Sequence, residues 1–136
     1  MNNWFGGIEI LLSKSNPETL KDGRGGIFTW IPDEDIREFN LVYFNAGKIR
    51  GNHYHPEFTE YFMVVEGTIA VFTLNPENGE VMNMLLGEGS VIKSAPFVPH
   101  AIQAITDAKC VALITKPWDE CATPIIYVDL LNSSTQ

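Results

Sequence analysis

The stretch Gly47-Lys48-Ile49-Arg50-Gly51-Asn52-His53-Tyr54-His55-Pro56-Glu57-Phe58-Thr59-Glu60-Tyr61-Phe62-Met63-Val64-Val65-Glu66-Gly67 decides how this chain is read. His53, His55 and Glu60 carry its polar chemistry, in the pattern Gly-x5-His-x-His-x4-Glu-x6-Gly. Side chains alternate along a strand with a period of two, so His53 and His55 share one face and Tyr54 takes the other. Pro56 and Glu57 break the run, which lets the next strand bring Glu60 opposite the imidazoles. Two imidazoles and a carboxylate aimed at one point make a facial metal triad. The bland alternative is two histidines on a solvated strand face with Glu60 paired to a lysine. It leaves the spacing of five positions without a common cause.

Working outward, short β-rich runs separated by turn signals recur at residues 8–12, 27–31, 39–45, 49–55, 59–65, 68–74, 81–86, 90–93, 100–105, 110–115 and 125–130. None has a helical period long enough for a helix. Asn78-Gly79 is the strongest hairpin signal, and Gly67, Gly87 and Gly89 close other turns. The expectation is an all-β chain folded as an antiparallel sandwich or barrel. It forms one domain over residues 1–136, with its core at about 22–130 and residues 132–136 as a frayed tail. An inward Glu60 takes Phe62 and Val64 inward with it, and an inward His100 does the same for Ile102 and Ala104.

At 136 residues the chain has room for one core and not two. With 45% apolar and 19% charged residues, and eight Phe, four Tyr and three Trp, it is not a disordered segment. Its net charge of −8 and the acidic stretch Asp33, Glu34, Asp35 and Glu38 disfavour nucleic acid and anionic lipid as partners. Arg24, Lys48, Arg50, Lys93 and Lys116 remain available for a local anion pocket. Residues 1–12 lack a basic leader and a membrane-length apolar run, so a cytoplasmic protein with Cys110 and Cys121 reduced is expected.

The pattern from Gly47 to Gly67 is the first motif of the cupin superfamily, which the chain resembles without a gap. The resemblance implies a double-stranded β-helix, the cupin jelly-roll barrel. It also implies a second motif ending in a fourth ligand, matched by Gly89-x5-Ala95-Pro96-Phe97-Val98-Pro99-His100. Here Ala95, Phe97 and Ala104 depart from the family's proline, glycine and asparagine, while Pro96 and Pro99 still restrict the backbone before His100. The implied metal set is His53, His55, Glu60 and His100, holding one divalent transition metal ion: Fe, Mn, Ni, Co, Cu or Zn.

A narrower resemblance runs from Asp22 to Thr115, through Asp22-x-Arg24-Gly25, Ile31-Pro32, Val42-Tyr43 and Arg50-Gly51-x-His53-x-His55. These segments are similar to those of the nucleotide-sugar cupins, the dTDP-sugar 3,4-ketoisomerases and dTDP-4-dehydrorhamnose 3,5-epimerases. Gly51 to Glu60 is also similar to the metal-binding cupin domain of certain capsular-polysaccharide UDP-sugar enzymes. The resemblance implies proton transfer beside the ketone of a nucleotide-linked keto sugar, with His53, His55 and Tyr43 as candidate catalytic groups. A histidine holding a metal cannot accept a proton at the same moment, so ligand and acid–base roles for His53 and His55 are alternatives. Glu60, which ketoisomerases generally lack, points toward the metal.

Arg50 is either a handle for an anionic sugar nucleotide or a surface partner of the acidic stretch. Arg24 is either a family substrate residue or part of a solvated turn. Lys116, in Lys116-Pro117-Trp118, either closes over a ligand or marks a strand exit with a half-buried tryptophan. Two other activities use the same site: a metal-dependent oxygenase or lyase on a small organic acid, and a non-catalytic metabolite binder. A homodimer is expected, with residues 8–12 as a plausible exchanged strand.

Overall fold

A computed structural model describes residues 3–14 and 22–131; the tail expected at 132–136 lies outside them. The described residues form eleven strands: β1 (Asn3–Phe5), β2 (Ile8–Leu11), β3 (Glu38–Phe44), β4 (Ile49–Tyr54), β5 (Glu60–Glu66), β6 (Ile69–Leu74), β7 (Val81–Leu86), β8 (Val91–Ser94), β9 (His100–Ala104), β10 (Ala108–Ile114) and β11 (Ile126–Tyr127). They build two antiparallel sheets, one ordered β1-β2-β8-β5-β10-β3 and the other β11-β4-β9-β6-β7. This is the all-β architecture expected from the strand spacing, and the jelly-roll barrel that the cupin resemblance implies.

Period-two alternation places the core. Phe62 and Val64 of β5, Ile92 of β8, and Cys110 and Ala112 of β10 point inward from the six-stranded sheet; Ile69, Val71, Ile102 and Ala104 meet them from the other. Each Val, Ile and Phe among them contributes about 1.5–3 kcal/mol on burial. The Asn78-Gly79 hairpin joins β6 to β7 as expected, with Gly79 in the left-handed region at φ +74° and the Glu80 N–H bonded to Asn78 Oδ1 at 2.9 Å. Among the described residues no helix is long and apolar enough to cross a membrane. Cys110, buried in the core, and Cys121, in the loop after β10, carry free thiols.

Three expectations about elements change. Residues 27–31 form no strand; they belong to an extended strap lying across the outer face of the six-stranded sheet. Side chains pin the strap instead of a ladder: the Trp30 indole N–H donates to the Leu11 carbonyl at 3.1 Å and the Tyr61 hydroxyl donates to Asp33 at 2.8 Å. Lys93 pairs with Asp33 at 3.0 Å and with Glu34 at 3.6 Å, which is where part of the acidic stretch finds its partner. Between strap and sheet lies a cavity of about 510 Å³ lined by Phe28, Trp30, Ile36, Met63, Val65 and Leu113 among others. The run at 125–130 shrinks to the two residues of β11, and β1 appears where no strand was expected. Within the chain β2 pairs with β8, from Ile8 with Ser94 to Leu11 with Val91.

Candidate functional site

The histidine face is set by one irregularity in β4. Ile49, Arg50 and Gly51 pair in step with Gln103, Ile102 and Ala101 of β9, but His53, not Asn52, pairs with His100. Asn52 is the extra residue of a β-bulge. Gly51 and Asn52 both take left-handed backbone, at φ +110° and +58°. Without the bulge Asn52 would face the interior, and His53 and His55 would turn outward together. The Asn52 carbonyl accepts the Val128 N–H at 2.8 Å and its side-chain Oδ1 accepts the Leu131 N–H at 2.9 Å, which fastens the segment carrying β11 beside β4.

Two rows of paired residues face each other across one end of the barrel. From the five-stranded sheet the row is Tyr127, His53, His100 and Thr73. From the other it is Ser94, Glu60, Ile114 and Glu38. His55 adds its ring just beyond the end of β4, 4.6 Å from the His53 ring between centroids. Glu60 therefore reaches the imidazoles across the interior, from the opposite sheet, and not from a strand bonded to β4. Its Oε1 lies 3.4 Å from His100 Nε2 and its Oε2 lies 3.9 Å from His55 Nε2.

The three imidazoles are grouped as a set that could hold one cation, with the Glu60 carboxyl beside them. Candidate ligand atoms of His53, His55 and His100 all lie within 4.8 Å of one another. Nδ1 of His55 faces the Pro124 carbonyl at 2.9 Å and Nδ1 of His100 faces the Val98 carbonyl at 3.2 Å. With the proton held at Nδ1 by those carbonyls, Nε2 of each ring presents a free lone pair toward Glu60. Burial, helped by the neighbouring imidazoles, pushes His53 down to about 4 and His100 down to about 3, and burial also lowers His55. Burial pushes the Glu60 carboxyl up to about 7. Near neutral pH the site is thus a set of uncharged imidazoles beside a carboxyl close to half-ionised.

The other expected residues are placed differently. Tyr43 is 58% exposed and points out of the barrel, its ring 6.0 Å from Lys109 Nζ, because its neighbours Val42 and Phe44 take the inward positions of β3. It does not join the imidazoles. Arg24 closes on Asp22 at 2.8 Å in an exposed turn, the solvated reading of that segment. Lys116 is engaged by Glu57 at 2.8 Å and so anchors the loop after β10, since Glu57 also accepts the Thr123 N–H. Arg50 is the one expected anion-binding residue on the inner face of β4: it pairs with inward-facing Ile102 and carries its exposed guanidinium 5.6 Å over the Phe44 ring. No ion pair joins it to the described acidic stretch.

Sequence reasoning missed Asn52 and Tyr127. The Gly51-Asn52 dipeptide, two residues tolerant of left-handed backbone, was the available signal for the bulge. Tyr127 had none, because its place depends on which strand β11 joins.

The family model for the polysaccharide biosynthesis C-terminal domain matches residues 20–120. The chain belongs to this family. No curated protein is similar to this family member in sequence. Solved structures share its fold. A dTDP-6-deoxy-D-glucose-3,5-epimerase from Legionella pneumophila superposes with a TM-score of 0.76 at 14% identity, covering 99% of this chain and 79% of its own. A 3,4-ketoisomerase from Helicobacter canadensis gives 0.74 at 14% identity, covering 90% and 91%. A dTDP-4-dehydrorhamnose 3,5-epimerase from Sulfolobus tokodaii gives 0.70 at 21% identity, covering 85% and 74%. The domain shares the cupin-type jelly-roll fold of these three proteins.

Proposed function

We propose that this domain holds one divalent transition-metal ion through His53, His55, His100 and Glu60, and isomerises or epimerises a nucleotide-linked keto sugar in polysaccharide biosynthesis. The observation that carries the reading is the convergence of three imidazoles and a carboxylate at one end of an otherwise apolar barrel, facing an open margin at His53. The similar structures are a ketoisomerase and two epimerases, and the second of these epimerases is named for a 4-dehydro sugar.

Hydrogens on carbons beside a ketone are acidic, so a base can remove one, an enolate forms, and the proton returns at another position. A cation in the site supplies a Lewis acid for the developing enolate oxygen. His53, half-buried at the rim while His55 and His100 are buried, is the imidazole a substrate meets first. It serves as ligand or as base, one at a time. Arg50, on the same face of β4, would take a diphosphate in two-point fashion.

The test is solvent exchange. Incubated in D₂O with a dTDP-4-keto-6-deoxyhexose, the purified domain should place deuterium next to the carbonyl, read by NMR. No incorporation, together with oxygen consumption by the Fe(II)-loaded protein, would replace this reading with the oxygenase. No turnover of any kind alongside bound ligand would leave a binding protein.

Ion uptake should also move a proton. Below about pH 7 the carboxyl of Glu60 is protonated and must lose its proton to bind, whereas His53, at about 4, and His100, at about 3, are already neutral and burial lowers His55 in the same direction. Metal binding is expected to release about one proton per ion at pH 6 and nearly none at pH 8. Calorimetry in two buffers of different ionisation enthalpy measures it, and proton release that stayed constant across this range would remove Glu60 from the ligand set.

A homodimer is proposed as well. Phe39 and Leu41 stand 76% and 55% exposed on the outer face of the six-stranded sheet, an apolar area of the kind a second copy covers. Light scattering should give about twice the chain mass of 15.2 kDa, and the monomer mass would contradict it.

A further inference from the structure

Two large aromatic side chains stand exposed beside the imidazoles, and neither is needed by the barrel's core. Tyr127 is directly opposite His53 in the β11–β4 pair, so both side chains leave the same face of the sheet. Their rings meet edge to face, with centroids 6.3 Å apart and planes at 73°, yet Tyr127 is 75% exposed. On the other flank Trp118 lies edge to face with His55 at 6.1 Å and 71°, packs on Phe58 at 6.3 Å, and keeps 43% of its surface in solvent.

Each ring sits on a separately fastened segment. The Trp118 backbone N–H is held by Glu38 Oε1 at 2.8 Å, at the start of a single 3₁₀ turn (Trp118–Glu120). Tyr127 is followed at once by Val128, whose N–H is held by the Asn52 carbonyl. Exposed aromatic surface fixed in position at the margin of a polar cluster is unfavourable in water and is what a ligand with an apolar face covers. A pyranose has such a face in its axial C–H bonds, with hydroxyl and keto groups around its edge.

We infer that Tyr127 and Trp118 bracket the hexosyl ring of the substrate, Tyr127 taking its C–H face and so turning the ring edge, with its keto carbon, toward His53 and the cluster behind it. This rests on the sugar-nucleotide reading above and specifies which part of the substrate the site's margin recognises. The nucleotide is left to Arg50, on the same strand face as His53. Tyr127 and Trp118 are thus residues of binding and orientation.

The experiment compares dTDP with dTDP-glucose as probes, using calorimetry on the full chain and on the variants Tyr127→Ala, Tyr127→Phe and Trp118→Ala. These side chains lie at the surface, so circular dichroism should be unchanged. Tyr127→Ala is expected to weaken dTDP-glucose by about tenfold and leave dTDP within about twofold; Trp118→Ala should act in the same direction, and Tyr127→Phe, which keeps the ring, should bind nearly as the parent does. Unchanged dTDP-glucose affinity in Tyr127→Ala would overturn the bracket. An equal loss for dTDP and dTDP-glucose would overturn it too, by showing that the rings hold the base. A parent protein that binds neither probe would defeat the sugar-nucleotide reading itself, and the bracket with it.

Discussion

Replacing Gly51 with alanine is expected to cost about 3 kcal/mol of stability and to scatter the imidazoles. The backbone there holds φ +110°, outside the range an L side chain readily adopts. An added Cβ would stand 2.7 Å from both the Ala101 Cα and the His100 carbonyl oxygen, and backbone atoms inside a paired strand cannot step aside. The strain falls on the bulge that brings His53 opposite His100. Gly79→Ala is the matched comparison: its φ is +74° but nothing lies within 4 Å of the new Cβ, so only the backbone preference is lost, about 1 kcal/mol. Thermal denaturation should show Gly51→Ala melting on the order of 10 °C below the parent and several degrees below Gly79→Ala. Equal melting temperatures for the two variants would mean that the bulge is not held by this close approach.

The second large effect is on the site itself. His100→Ala should abolish stoichiometric metal binding and lower solvent exchange into the keto sugar by at least about a hundredfold. His100 is buried, presents Nε2 to Glu60 and is oriented by the Val98 carbonyl. Truncation leaves the Glu60 carboxyl without its nearest imidazole, and it opens a cavity costing about 2 kcal/mol. Val71→Ala controls for that cavity, since Val71 is fully buried in the same five-stranded sheet but belongs to the apolar core. It should lose comparable stability and keep its metal. Elemental analysis of both variants decides the matter: full metal content in His100→Ala would remove this residue from the ligand set and leave the site to His53, His55 and Glu60.

How much of this was legible beforehand depended on whether a feature is local. The runs around β4 to β7 read as strands because their alternation and turns are written in adjacent residues, and the Asn78-Gly79 hairpin is where it was expected. Residues 27–31 misled for a physical reason: Ile27, Phe28, Trp30 and Ile31 have strand composition, yet their role is to lie across a sheet already complete, where Trp30 and Asp33 make side-chain contacts in place of a ladder. Residues 125–130 misled in another way, because Asn52 takes the backbone of Val128 and Leu131 that a longer strand would have paired. Tyr43 was carried over by position along the chain, and the alternation of β3 gave the interior to Val42 and Phe44 instead.

By itself the sequence determined that His53 and His55 share a face and that the chain is all-β, since both follow from a period of two residues that needs no partner. Which face the histidines take was settled by the bulge at Gly51 and Asn52, a matter of pairing with β9. The approach of Glu60 from the opposite sheet, the outward turn of Tyr43 and the arrival of Tyr127 beside His53 came only with the tertiary structure. Each depends on which strands lie next to or across from one another, and that is decided by the packing of two whole sheets around one core.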